Sequence, residues 1–112
     1  MSSDSTITEI DNCLVYIGKN KNGNEEIINI ARKNQGENGE PWWFHFENIS
    51  SCHLIMFLKS KPTKYQLCQV KNVMLEQTKK ANTFNKLIYT ELKNIKTTSV
   101  PGTVLIKGKN IF

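Results

Sequence analysis

The chain has 112 residues, 38% of them hydrophobic and 22% charged, and a net charge of +5 from 15 Lys and Arg against 10 Asp and Glu. That length fits one domain, and the balance of apolar and charged residues is that of a folded globular chain, not a disordered one. The longest apolar run, Leu54-Ile55-Met56-Phe57-Leu58, is too short to cross a bilayer, Met1 to Thr6 shows no secretion signal, and Cys13, Cys52 and Cys68 lack a framework spacing; a cytoplasmic protein with free thiols and no membrane partner is expected.

Residues 1–11 read as a polar, flexible N-terminal segment and residues 12–112 as the domain. Asn12 to Gly18 alternates apolar groups on both sides and reads as a buried strand. Lys19 to Asn24 is a turn cluster. Glu25 to Lys33 then reads as a short helix capped by Asn24, with Glu25 and Glu26 at its positive end and Arg32 and Lys33 at its negative end. Residues 34–41 form a loop, Trp42 to Phe46 an aromatic strand, Glu47 to Ser51 a turn, and His53 to Lys59 a central strand. Thr63 and Gln66 have capping-box spacing. They open a longer helix whose inner stripe is Leu67, Val70, Met74, Thr78 and Ala81, running to Asn82, while Lys71, Lys79 and Lys80 lie off it. Asn85 to Leu92 is a further strand, Pro101-Gly102 a type II turn, and Thr103–Lys107 with Lys109–Phe112 a final hairpin through Gly108. This order predicts an α+β fold: a single mixed, largely antiparallel β-sheet with one long and one short α-helix.

Charge is unevenly spread along the chain. Residues 1–56 hold eight acids and four bases, net −4, and residues 57–112 hold two acids and eleven bases, net +9. Such a distribution points to a polyanionic partner, nucleic acid first. Fourteen of the fifteen bases are Lys; an ammonium is a point charge, suited to backbone phosphate rather than bidentate base readout. His45, Cys52, His53 and Cys68 have no paired spacing of a zinc site, so no metal and no other cofactor is expected. Cys52 and His53 are adjacent and point to opposite faces of a strand, which argues against a thiol–imidazole pair. His45 and His53 would face each other across neighbouring strands. In Trp42-Trp43-Phe44-His45-Phe46, one face is core and the other is a candidate stacking platform for unpaired bases. The turn from Gly18 to Asn24 leads into a helix and offers backbone N–H groups to a phosphate, but it matches neither a Walker A loop nor a dinucleotide fingerprint.

At these segments the chain resembles the NFACT-R domain, the RNA-binding domain of NFACT-family ribosome quality-control factors. The resemblance is carried by Tyr16-Ile17-Gly18-Lys19-Asn20 with Asn24, by Ala31-Arg32-Lys33, and by Trp43-Phe44-His45. It continues in Ser51-Cys52-His53, which is similar to the family's Gly-Ser-His turn, in Lys80-Ala81-Asn82, and in Tyr89 to Lys96 followed by Pro101-Gly102-Thr103-Val104. Two departures stand out: Cys52 takes the small-residue slot before His53, and Thr97-Thr98 stand where the family has further Lys and Pro.

The resemblance implies a stand-alone module binding structured RNA (tRNA, rRNA or the ribosome) in translation or ribosome quality control. A partner protein would then supply the other NFACT domains. Lys19, Lys21, Lys80, Lys93 and Lys96 would contact phosphates, Asn20, Asn24, His45 and His53 would hydrogen-bond sugars or base edges, and Trp43 would flank them. No catalytic residue is expected. The alternatives are an RNA-processing or RNA-modifying enzyme using His45 and His53 as acid and base, and a DNA-binding adaptor.

Overall fold

The structure, a computed structural model, describes residues 2–34, 36 and 38–112. Its first element is β1 (Ser5–Ile10), paired antiparallel with β2 (Cys13–Gly18) along its whole length, from Ser5 opposite Gly18 to Ile10 opposite Cys13. The two-residue connection is Asp11-Asn12, with φ of 51° and 60°. Asp and Asn tolerate this left-handed region, and two such residues match the twist of the strands they join. Residues 5–10 are thus an edge strand of the sheet, a correction to the reading of residues 1–11 as a flexible segment outside the domain; Met1 lies outside the described residues.

Six strands form one sheet in the order β1-β2-β4-β3-β5-β8, every neighbour antiparallel; β3 is Glu40–Phe46, β4 Leu54–Leu58, β5 Leu87–Glu91 and β8 Asn110–Ile111. A separate hairpin pairs β6 (Ile95–Thr97) with β7 (Val104–Ile106). The fold is α+β as expected, with a six-stranded sheet plus a hairpin in place of a single mixed sheet. The expected terminal hairpin through Gly108 does not form. β7 turns back on β6, and β8 returns to pair with β5 at the sheet's far edge. Of the expected 34–41 loop, Gln35 and Glu37 lie outside the described residues, and Glu40 and Pro41 already belong to β3.

The two helices cover opposite faces of the sheet. α1 (Lys21–Lys33) packs Ile27, Ile28 and Ala31 against Tyr16, Trp43, Ile55, Phe57 and Ile88. α2 (Lys64–Gln77) packs Leu67, Val70 and Met74 against Val15, Trp42, Phe44, Leu54 and Met56. With apolar partners on both sides, β4 is buried at every residue, which explains its unbroken apolar run. Both faces of the aromatic strand are therefore core: Trp42 keeps 8% of its surface and Trp43 only 1%. Neither indole is a platform for bases, which corrects that expectation.

α1 begins four residues before the expected start. Its N-cap is Asn20, whose side chain accepts the Gly23 N–H at 2.9 Å, and Glu25 and Glu26 sit past the first turn. Gly23 is a helix residue because space forbids anything larger: a Cβ there would lie 1.8 Å from the Asp4 carbonyl oxygen. α2 has the expected capping box, with Thr63 Oγ1 accepting from Gln66 N–H and Gln66 Oε1 from Thr63 N–H. It stops at Gln77, five residues short of Asn82, and Thr78 turns inward beside Cys52. The helices are of nearly equal length, 13 and 14 residues.

The described N-terminal residues brace α1 as well as β2. Lys19 N–H donates to the Asp4 carbonyl at 2.8 Å, and the Glu26 carboxylate accepts from Ser2 and Ser5 hydroxyls. Removing residues 1–11 should therefore destabilise the domain by at least the roughly 1.5–3 kcal/mol that burial of one Ile such as Ile10 contributes. Urea denaturation of the shortened chain checks this, and an unchanged midpoint would return β1 to the status of a dispensable tail.

Candidate nucleic-acid interface

At the C-terminal end of β2, the first turn of α1, the turn before β4 and the residues after α2 meet around a cleft of about 520 Å³. Lys19 and Lys21 line it from the front half of the sequence, Lys79 and Lys80 from the back half, and no Asp or Glu shares the lining. Among the described residues the ion pairs are Lys93 with Glu91 and Lys109 with Glu47, so the four cleft ammoniums are not neutralised by carboxylates. The N-terminus of α1, which begins at Lys21 after the Asn20 cap, adds the partial positive charge of its first turn. The far wall is the turn after β6. Val100, Pro101 and Gly102 close it, with Thr103 N–H donating to the Val100 carbonyl and Gly102 at φ 78°, as a type II turn requires. Glu25 Oε2 accepts the Gly102 N–H at 3.1 Å, and a Cβ on Gly102 would come within 2.8 Å of the Lys21 Cβ, so the turn sits directly on α1.

The inner wall is built from imidazole. His45 and His53 lie on the same sheet face as Trp43, because residues two apart on β3 share a face and β3 pairs with β4 in a register that places Phe44 opposite Leu54. Their rings meet edge to face with centroids 5.0 Å apart, so the expected convergence across the two strands occurs. Trp43 stacks on His45 at 5.6 Å, nearly parallel, and its Nε1–H donates to His53 Nδ1 at 3.1 Å. An Nδ1 that accepts leaves the proton on Nε2. Burial pushes His45 down to about 4, and burial followed by the neighbouring His45 pushes His53 down to about 3. Both rings are neutral near pH 7. Cys52 points to the other face, where burial raises its thiol and Thr78 contacts its sulfur at 3.5 Å; the adjacent Cys52 and His53 are kept apart as strand alternation dictates.

Asn24 fixes this wall to α1. Its Oδ1 accepts the His53 N–H at 2.9 Å, and Gly18 N–H donates to the His53 carbonyl at 3.0 Å. Gly18 must be glycine for this to work, since a Cβ would lie 2.2 Å from Asn24 Oδ1 and 2.6 Å from the Asn24 backbone nitrogen.

Seven of the ten expected contact residues line this cleft: Lys19, Asn20, Lys21, Asn24, His45, His53 and Lys80. Asn24 has its side-chain oxygen engaged internally, and Asn20 caps α1 and donates to Asp4 Oδ1, so both act chiefly as framework. Trp43 lies behind the imidazoles, a support rather than a surface. Lys93 and Lys96 lie elsewhere. They border a smaller cleft of about 270 Å³ on the β6–β7 hairpin with Lys107, and Lys93 is held by Glu91 at 2.9 Å. Sequence reading missed Lys79, Ser50, Ser51 and the Pro101-Gly102 wall. For Lys79 the signal was available, since it is the sequence neighbour of Lys80, just beyond the end of α2. The Pro101-Gly102 turn itself was legible, but its approach to α1 was not, because that contact spans 77 residues. Among the described residues no three His, Cys, Asp or Glu side chains gather as a metal site, and no helix is long and apolar enough to cross a membrane.

The family model described as the NFACT protein RNA binding domain matches residues 5–112. No curated protein sequence matches the chain significantly. Among solved structures, it is similar to the C-terminal part of the fibronectin/fibrinogen-binding protein from Streptococcus suis, with a TM-score of 0.76 and 16% identity. That likeness covers 100% of this chain and 45% of the other, so the chain spans less than half the length of that relative. At this identity it establishes the fold.

The imidazole wall sets a pH dependence of stability. Both rings bind protons less readily folded than unfolded, so their contribution is complete above about pH 6.5 and declines as the pH falls through that value toward 4. Each ring adds a slope of up to about 1.4 kcal/mol per pH unit. Between pH 6.5 and 5, above the usual carboxylate range, denaturation midpoints should fall, and His45→Gln should remove about half of that slope. A midpoint that is flat over this interval would contradict the buried, neutral pair.

Proposed function

Since the chain belongs to the NFACT RNA-binding domain family, we propose that its ligand is a structured RNA, tRNA or rRNA, engaged through the lysine-rimmed cleft in a translation or ribosome quality-control setting. One observation carries this reading: Lys19, Lys21, Lys79 and Lys80 line a single concavity without an acidic neighbour in its lining. Ammonium groups brought together in this way raise the local concentration of polyanion and bind phosphates through counterion release. Lysines supply affinity rather than sequence readout, which suits a ligand recognised by its shape. A partner carrying the remaining NFACT domains, and cytoplasmic residence, belong to the same proposal.

A second reading, acid–base chemistry on RNA by His45 and His53, is favoured by the convergence of the rings at the cleft. General catalysis near neutrality works best with a group whose pKa lies close to the working pH, and these two lie well below it. Binding without a chemical step is therefore the better account. DNA is the remaining competitor, and equal affinity for RNA and DNA duplexes of one sequence would favour it.

Crosslinking of the protein to RNA in cells, followed by sequencing, tests the ligand class; enrichment of mRNA alone would overturn the tRNA or rRNA assignment. In vitro, four phosphate contacts predict a log–log salt slope of roughly −3 on single-stranded RNA. The pair Lys79→Glu and Lys80→Glu should weaken binding at least about tenfold and flatten the slope by about 1.4, with an unchanged melting curve. Lys93→Glu with Lys96→Glu should have a clearly smaller effect. The reverse ranking would move the interface to the β6–β7 hairpin.

A further inference from the structure

The cleft holds more than a phosphate site requires. Its rim is cationic, but its inner wall is His45 and His53 and its far wall includes the apolar surfaces of Val100 and Pro101. At about 520 Å³ it falls within the roughly 300–1,000 Å³ range of sites that enclose a small molecule. His45 is half-buried, and Trp43 supports it in a near-parallel stack of 11° between planes. His53 is 97% buried, retaining 3% of its surface. Its Nδ1 is taken by Trp43, while among the described residues its Nε2 has no hydrogen-bond partner and the residue lines the cleft. Nε2 is not among the enclosed atoms of the ring, so it is an accessible donor at the cleft surface, placed to hydrogen-bond an acceptor bound there.

We infer that this cleft takes a single unpaired nucleotide of the RNA, its base resting on the His45 imidazole and accepting a hydrogen bond from His53 Nε2–H while its phosphates meet the rim lysines. The inference rests on the RNA-binding reading above and narrows it from a shape-recognised backbone to a loop, bulge or end in which a base is free to leave the stack. RNA is commonly read in this way, because unpaired bases can be splayed out onto planar side chains and hydrogen-bonded on their edges. A double helix keeps its bases inside and offers this cleft only phosphates. The order of the layers fits a base as well: Trp43 beneath His45 continues a stack that a base would extend, and the perpendicular His53 presents a ring nitrogen beside it.

The test uses the full chain and fluorescence anisotropy with a short single-stranded RNA and a duplex of the same sequence. The single strand should bind at least about tenfold tighter, within the range that one base–aromatic stack provides. His45→Leu should abolish that preference, and His45→Phe, which keeps a flat ring, should retain most of it. Equal affinity for strand and duplex, with His45→Leu changing neither while Lys79→Glu weakens both, would overturn the inference and leave the RNA-binding reading in place. If neither RNA binds, both readings fall. A measurement independent of any variant is the 15N spectrum of the histidine rings. A nucleoside monophosphate should move the His45 and His53 resonances, and inorganic phosphate at the same concentration should not. Identical responses to the two would reduce the cleft to a phosphate site and overturn the inference.

Discussion

Asn24 reaches from the first turn of α1 to the start of β4, and its side-chain oxygen accepts the His53 N–H inside the protein. An unpaired buried N–H costs about 1–3 kcal/mol, so the position of the helix and that of the strand are not independent. The contact exists only because Gly18 at the end of β2 leaves room for it, and Gly18 in turn bonds the His53 carbonyl. Three elements are thereby pinned at one point: the strand that delivers Lys19, the helix that begins beside Lys21, and the turn that presents His53. The cleft is the space these pinned ends leave between them. A mobile loop could carry the same residue types, but it would not hold two neutral imidazoles at a fixed angle under a cationic rim.

Charge along the chain and charge in space tell different stories. The acidic front half and basic back half suggest that most of the phosphate-binding charge lies in the C-terminal segment. The fold mixes them. Two of the cleft lysines come from the acidic half, Lys93 and Lys109 of the basic half are paired with Glu91 and Glu47, and Arg32 donates to the Ile95 carbonyl at 2.6 Å to hold the hairpin onto α1. What makes the cleft electropositive is the absence of carboxylates in its lining. The nearby acids have other occupations: Asp4 accepts from Asn20, Glu25 from the Gly102 amide, and Glu26 from two serines. Local side-chain hydrogen bonds turn those acids toward framework.

How far the sequence could be read follows from the range of each interaction. The capping box of α2, the buried strand β4, the alternation that sets His45 against His53, and the Pro101-Gly102 turn are all local patterns, and all appear in the structure. β1 escaped because it is an edge strand with little apolar burial. Ile7 is 56% exposed, and only Ser5 and Ile10 of its six residues are buried. Its legible signs were the β-branched residues and Asp11-Asn12 at a hairpin turn. The start of α1 was displaced because Asn22-Gly23 looks like a turn, whereas Gly23 serves close packing against Asp4. The pairing of β6 with β7, and of β8 with β5, depends on contacts between distant segments, which periodicity does not encode. The aromatic strand misled for a related reason: alternation says which residues share a face, but not that a second helix covers the other one.

The residue at position 43 shows how the core and the cleft constrain each other. Phenylalanine would fill most of that volume, yet it has no N–H for His53 Nδ1. The indole supplies one, and in doing so it selects the Nε2–H tautomer of a ring that is otherwise almost enclosed. The same burial that makes Trp43 useless as a stacking surface makes it effective as a support, since a ring packed against Ile27 and Ile55 on the α1 side cannot yield. A neutral wall has a further consequence for the rim. Charged imidazoles beside Lys19, Lys21, Lys79 and Lys80 would repel them, whereas neutral ones leave the lysines free to answer a phosphate while offering a flat, uncharged surface to whatever that phosphate carries.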